Sequence, residues 1–172
     1  MPVTLHFPEK CLILLCSAPG CGKSTFASRH FLPTQVVSSD ECRAMVCDDV
    51  NNMKVHGEAF SLLTHITRLR LGLGKMTVLD TTALSRDLRR RMVKLAREYG
   101  FQTTIIVLDF RLETCLGQNE RRDRVVAPAV IRRYHQQLQT AKKQIPKEDF
   151  DNIHILTEEE IKEVQISLIQ RT

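Results

Sequence analysis

Eight consecutive residues, Ser17-Ala-Pro-Gly-Cys-Gly-Lys-Ser24, join small and turn-forming positions to one lysine and one hydroxyl. That order suits a phosphate-binding loop. Backbone N–H groups of the turn, and the positive end of a following helix, can hold phosphate oxygens together. Lys23 is placed to reach the β- and γ-phosphates of a nucleoside triphosphate, and the Ser24 hydroxyl to ligate Mg2+. Gly20 and Gly22 stand where a side chain would block the backbone's approach. Ser17 departs from the G-x-x-x-x-G-K-[ST] pattern, whose first position is glycine. The loop assigns ATP binding to Ser17, Ala18, Pro19, Gly20, Cys21, Gly22, Lys23, Ser24 and Thr25, with Mg2+ as the accompanying metal.

Two carboxylates extend the chemistry. Asp40 follows the apolar pair of Gln35-Val-Val-Ser38, and Asp80 closes Met76-Thr-Val-Leu-Asp80. One acid can accept the proton of an attacking hydroxyl while the other positions Mg2+ or its water shell. Asp80, on the longer run, suits the metal side through water. Asp40, with Arg43 one helical turn onward, suits the general base beside an anion clamp. The bland alternative makes each aspartate a helix N-cap. Farther along, Asn119-Glu-Arg-Arg-Asp-Arg124 is an Arg-rich segment that breaks at Pro128. Arg122 and Arg124 are expected to cover nucleotide phosphates as a lid, ahead of Arg121. The alternative there is a solvated basic turn.

Alternating strands and helices must carry these residues. Cys11–Cys16 is a continuous apolar run, as a strand buried on both faces requires. Gln35–Ser38, Met76–Asp80, Thr103–Asp109 and Asn152–Leu156 read as further strands. Ser24–Phe31, Gly57–Leu73 and Ser85–Tyr99 read as helices, the second with Leu62, Leu63, Ile66 and Leu69 on its apolar face and the third with Leu88, Met92, Leu95 and Tyr99. Thr157-Glu-Glu-Glu160 is a capping-box pattern that opens a last helix through Ile161, Val164 and Leu168. This alternation predicts an α/β fold, a parallel sheet with helices on both faces. In such sheets ligands lie beyond the carboxyl ends of the strands, the rim shared by the loop, Asp40 and Asp80.

The chain of 172 residues is long enough for one domain, spanning 1–172, and too short for two ordinary ones. Its formal charge of +5 favours an anionic partner without choosing among nucleotide, nucleic acid and phosphorylated metabolite. Aromatics at 5% argue against a passive single-strand coat built on base stacking. Six cysteines contain no C-x-x-C pair, so they read as reduced, packed thiols rather than a zinc site. No apolar run approaches a membrane span, which points to the cytoplasm. The basic cluster Arg86, Arg89, Arg90, Arg91, Lys94 and Arg97 reads as the solvated face of its helix, with tracking of a nucleic-acid backbone as the minority alternative.

Taken together, Gly22-Lys-Ser-Thr-Phe-Ala27, Val37-Ser-Ser-Asp-Glu-Cys-Arg43, Gly74-Lys-Met-Thr-Val-Leu-Asp80, Asp123-Arg124 and Val130-Ile-Arg-Arg-Tyr-His-Gln-Gln-Leu138 resemble the kinase module of bacterial polynucleotide kinase-phosphatase, an RNA end-healing enzyme. The resemblance implies a P-loop kinase with sheet order 2-3-1-4-5 and transfer of the γ-phosphate of ATP to 5′-OH ends of RNA or DNA. It implies Lys23, Asp40, Arg43 and Arg122 as catalytic, Ser24 and Asp80 at the metal, and Asp40, Arg43 and Thr82 at the acceptor. Arg43 would contact the acceptor's phosphate. It also implies phosphatase and ligase domains or proteins of the same repair pathway as partners. Three residues depart from the family's pattern: Ala83 replaces an Asn, Gln118 replaces the first lid Arg, and Met53 sits where a Gln is usual. They motivate two alternatives: a small-molecule or nucleoside kinase, and an ATP-binding switch without turnover.

Overall fold

The structure is a computed structural model and describes residues 2–123 and 125–169. A short strand, β1 (Thr4–Pro8), leads into β2 (Cys11–Cys16), whose six side chains are all buried. Each fully buried Leu or Ile contributes about 1.5–3 kcal/mol, so this run anchors the loop that leaves it. The later strands are β3 (Val36–Ser38), β4 (Thr77–Asp80), β5 (Gln102–Asp109), β6 (Asn152–Thr157) and β7 (Gln165–Ile169). The central sheet is parallel in the order β3-β4-β2-β5-β6, the expected 2-3-1-4-5 when counted from the strand before the loop.

The helices are α1 (Lys23–His30), α2 (Ser39–Cys47), α3 (His56–Gly72), α4 (Arg86–Glu98), α5 (Leu112–Glu120), α6 (Pro128–Gln144) and α7 (Glu158–Glu163). Strand periodicity divides the core between the two sheet faces. Leu12, Leu14 and Cys16 pack with Leu79, Ile105 and Val107 beneath α2, α3, α4 and α6. Cys11, Ile13 and Leu15 point the other way, with Val78, Ile106 and Leu108 beneath α1 and α7. Among the described residues no helix is long and apolar enough to cross a membrane.

Local signals set the ends of α4. Ser85 caps it by accepting from the Leu88 N–H at 3.4 Å, and Gly100, at φ 71°, takes the left-handed turn that follows. Three expectations fail. The capping box of Thr157 and Glu160 forms, but α7 stops at Glu163 and Leu168 lies on β7. A capping box stabilises only the first turn, whereas residues 165–169 gain a complete ladder by pairing in parallel with β1. Leu69 and Tyr99 are exposed rather than packed, since Leu63, Thr67 and Leu71 already fill the inward face of α3 and Phe101 closes the end of α4. Arg89 is fully buried rather than solvated.

Candidate active site

The loop after β2 turns on two residues of positive φ, Gly20 at 76° and Gly22 at 113°. Helix α1 begins immediately at Lys23, so its unpaired first-turn N–H groups face the same concavity. Ser17 is fully buried, and its N–H donates to the Thr82 carbonyl at 3.1 Å. That bond ties the loop to the segment following β4. Ala18 is buried with Cys21, Cys115 and Ile131 in a small apolar cluster beneath the loop. A Cβ at Gly22 would come within 3.3 Å of the Phe110 ring, and one at Gly20 would collide with the Arg122 guanidinium. Arg122 therefore reaches back over the loop from the turn after α5.

Asp80 is the hub of the rim. One carboxylate oxygen forms an ion pair with the Lys23 ammonium, and the other accepts from the Ser24 hydroxyl at 3.0 Å. Its side chain is buried in the strand end, so the N-cap alternative does not apply. Asp40 is not a cap either. Ser38 caps α2 by accepting from the Glu41 N–H at 3.3 Å, which leaves Asp40 in the exposed first turn. Ser24, Asp40 and Asp80 line one groove of about 540 Å³ beside Thr25.

Arg43 sits differently from the other candidates. It is buried, donating from Nη1 to Asp40 at 2.8 Å and to the Val50 carbonyl at 3.4 Å, while its Nε has no partner among the described residues. It holds Asp40 from behind and does not line the groove. Thr82 lies at the rim with its carbonyl turned to Ser17. The expectation for Arg124 falls outside the described residues.

The turn carrying Arg122 is built on Asn119. This buried side chain donates to the Val126 carbonyl at 2.7 Å and accepts from the Val126 N–H at 3.1 Å. The clamp ties the end of α5 to Val126, just before α6. Gln118 precedes it, and Arg121 is exposed. Met53 is exposed on a short turn before α3. Ala83 is buried at φ 50°, with its carbonyl and that of Leu84 accepting from Arg89 at 2.9 and 3.0 Å. The left-handed backbone that favours Asn over bulkier residues is thus kept at Ala83 by a buried guanidinium.

Two side-chain features escaped sequence reading. Cys21 and Cys115 form a disulfide with Cα atoms 4.9 Å apart, which corrects the reading of all six cysteines as reduced. Helix α5 lies directly beside the loop, and that proximity spans 94 residues of sequence. Cys16, at the end of β2, is a thiol that burial pushes up to about 12, partly offset by the nearby Arg89 charge. Second, Lys142 pairs with Asp109 at the end of β5 at 2.5 Å. Its basic neighbours on α6 gave no sign of that pairing.

A hydroxyl and a carboxylate are hard oxygen donors, and Mg2+ takes one or two such groups together with phosphate oxygens and water. Ser24 and Asp80 fit that demand. The concavity of backbone N–H groups beside Lys23 fits a polyphosphate.

A family profile described as an AAA domain, AAA_33, matches residues 12–143. No curated protein matches the chain. Among solved structures, the chain resembles one in the Pnkp1/Rnl/Hen1 RNA repair complex, with TM-score 0.67 and 26% identity. The match covers 85% of this chain and 48% of that one, so the chain spans about half the length of that relative. A structure from the PezAT chromosomal toxin-antitoxin system of Streptococcus pneumoniae matches at TM-score 0.65 and 14% identity, over 88% of this chain and 70% of that one. A gluconokinase from Sinorhizobium meliloti 1021 matches at TM-score 0.55 and 14% identity, over 91% and 90%. These last two share the fold alone. Loop, sheet order and family profile agree that the chain belongs to the AAA_33 family and has the fold of a P-loop kinase.

Proposed function

We propose that this chain is a polynucleotide 5′-hydroxyl kinase, transferring the γ-phosphate of ATP to 5′-OH ends of RNA or DNA. The observation that carries the reading is the shared groove. An exposed carboxylate, Asp40, faces the same concavity as Ser24 and Asp80, at the mouth of the phosphate-binding loop. A protein that only binds nucleotide has no use for a carboxylate held there by a buried arginine.

Each side chain then has a task. The loop N–H groups and Lys23 bind the phosphates of ATP and orient the γ-phosphoryl group. Asp40 accepts the proton of the attacking 5′-hydroxyl as the new P–O bond forms and the bond to the ADP leaving oxygen breaks. Arg43 is a positioning residue that fixes the Asp40 carboxylate. Asp80 orients both Lys23 and Ser24. Mg2+, held by Ser24 directly and Asp80 through water, would neutralise charge on the phosphate oxygens. Arg122, lying over Gly20, adds positive charge to the transferring group. Arg124 is assigned the same role from its place in the sequence, and Thr82 is assigned to the acceptor.

The polynucleotide as acceptor is supported by the motif resemblance, the basic charge and the 26% identity to a chain of an RNA repair complex. The reading extends to residues 1–172 acting as one kinase domain in the cytoplasm, beside phosphatase and ligase functions of one repair pathway. A kinetic comparison of a 5′-OH oligonucleotide with a panel of nucleosides and sugar acids tests the acceptor. A strongly salt-dependent KM for the oligonucleotide, with little turnover of the panel, is expected. Preferred turnover of a small alcohol, indifferent to salt, would replace the polynucleotide by a small-molecule acceptor.

A further inference from the structure

Helix α4 presents cations in a regular row. Arg86, Arg90, Lys94 and Arg97 are all exposed and fall at i, i+4, i+8 and i+11, on one face with about 5–6 Å between successive Cβ atoms. They form one wall of a groove of about 930 Å³, and Lys147 stands on the opposite wall, in the segment after α6. The acids lining it do not cancel this charge. Glu148 is committed to the buried Arg89 at 2.7 Å and lies 3.9 Å from Arg86, Asp87 pairs with Arg91 at 3.1 Å, and Glu98 pairs with Arg68 at 3.8 Å. Asp149 lies 3.7 Å from Arg97. Among the described residues Arg90, Lys94 and Lys147 have no acidic partner.

Solvated helix faces are convex and usually interleave acids at i+4. Here the face is one wall of a groove, and with Lys147 on the other wall the groove keeps three cations without an acidic partner among the described residues. It is joined to the catalytic rim through the chain, although the two grooves share no lining residue. Asp80 ends β4, residues 81–85 cross the rim, and Arg86 opens α4 with Arg89 holding the Ala83 and Leu84 carbonyls. From Arg86 to Arg97 the row of cations runs about 17 Å along α4. The low aromatic content leaves contact to the phosphodiester chain, rather than base stacking, as the available mode of binding.

We infer that the groove between α4 and the segment after α6 binds the phosphodiester backbone of a single-stranded polynucleotide, tracking the body of the acceptor whose 5′ end is in the catalytic groove. The inference deepens the 5′-kinase reading and rests on it for the placement of that end. The direct test is binding of a fluorescein-labelled single-stranded 12-mer, as DNA and as RNA, to the protein and to an R90Q/K94Q/K147Q variant across a salt series. Each phosphate contact in a single strand contributes about 0.7 to the slope of log K against log salt. The variant is expected to lower that slope by about two and to weaken binding on the order of a hundredfold near 0.1 M salt. ATP affinity and KM for a one-nucleotide acceptor, too short to reach the groove, stay unchanged. A single Lys94→Glu variant, one exposed charge reversed, is expected to weaken binding in the same direction and guards against loss of folding in the triple variant.

Wild-type affinity and slope in both variants would overturn the inference, as would a protein that does not bind the 12-mer. Binding that is lost in the variants, from a protein that transfers no phosphate to 5′-OH ends, would keep the groove and remove the kinase reading.

Discussion

Replacing Arg89 by Leu tests how a buried ion pair shapes the rim. Arg89 is fully buried and gives two hydrogen bonds to Glu148, at 2.8 and 2.7 Å, one to Gln144 at 3.0 Å, and two to the carbonyls of Ala83 and Leu84. Leucine removes all five donors and leaves Glu148, whose side chain is 5% exposed, as a buried acid with only the exposed Arg86, 3.9 Å away, beside it. Breaking one side of such a pair costs about 3–5 kcal/mol. For a domain of this size each kcal/mol moves Tm by roughly 2–4 °C, so the variant is expected to melt about 6–20 °C lower. Urea unfolding followed by far-UV circular dichroism gives the free energy directly. The double variant R89L/E148L removes both charges, and it should recover a large part of the loss. A single variant within about 1 kcal/mol of wild type, or a double variant worse than the sum of the singles, would refute the argument.

Lys23→Ala is expected to lower phosphoryl transfer by about 10²-fold or more, because it removes a preorganised charge at the transferring group. Steady-state kinetics at saturating ATP check this, and a loss confined to ATP KM would contradict it. Alkylation and mass spectrometry of the denatured, unreduced protein should label four thiols, Cys11, Cys16, Cys42 and Cys47, and all six after reduction. Six labels without reduction would remove the Cys21–Cys115 link. Burial holds the imidazoles of His30 and His154 below their ordinary protonation range. Depressed bases bind fewer protons in the folded state, so their contribution is complete above the unfolded pKa of about 6.5 and is lost as pH falls from there toward the folded value. The urea midpoint should drop between pH 7.5 and 5.5, and less in a H30Q/H154Q variant. An equal drop in that variant would assign the effect elsewhere.

The parts of the fold visible in the sequence are those with a strong local signature. Cys11–Cys16 has the continuous apolar pattern of a doubly buried strand, and glycines followed by Lys23 and Ser24 have the pattern of a phosphate-binding loop leaving one. The carboxyl-end rule places Asp40 and Asp80 on one rim, and both line the same groove. What was hidden depends on distant partners. β1 and β7 are short, and each is a strand because the other pairs with it across most of the chain. Arg89 looked like one more cation in a basic helix, and only Glu148, 59 residues away, makes its burial tolerable. Arg43 was legible as a neighbour of Asp40, but its burial behind that carboxylate follows from how α2 meets the turn at Val50.

The most direct measurement is transfer of label from γ-labelled ATP, with Mg2+, to a 5′-OH oligonucleotide by the protein and by an Asp40→Ala variant. Labelled oligonucleotide from the protein, reduced by about 10²- to 10⁴-fold in the variant, is the predicted result. Label from both at equal rates would contradict the role of Asp40, and no label from the protein while ATP still binds would contradict the 5′-kinase itself.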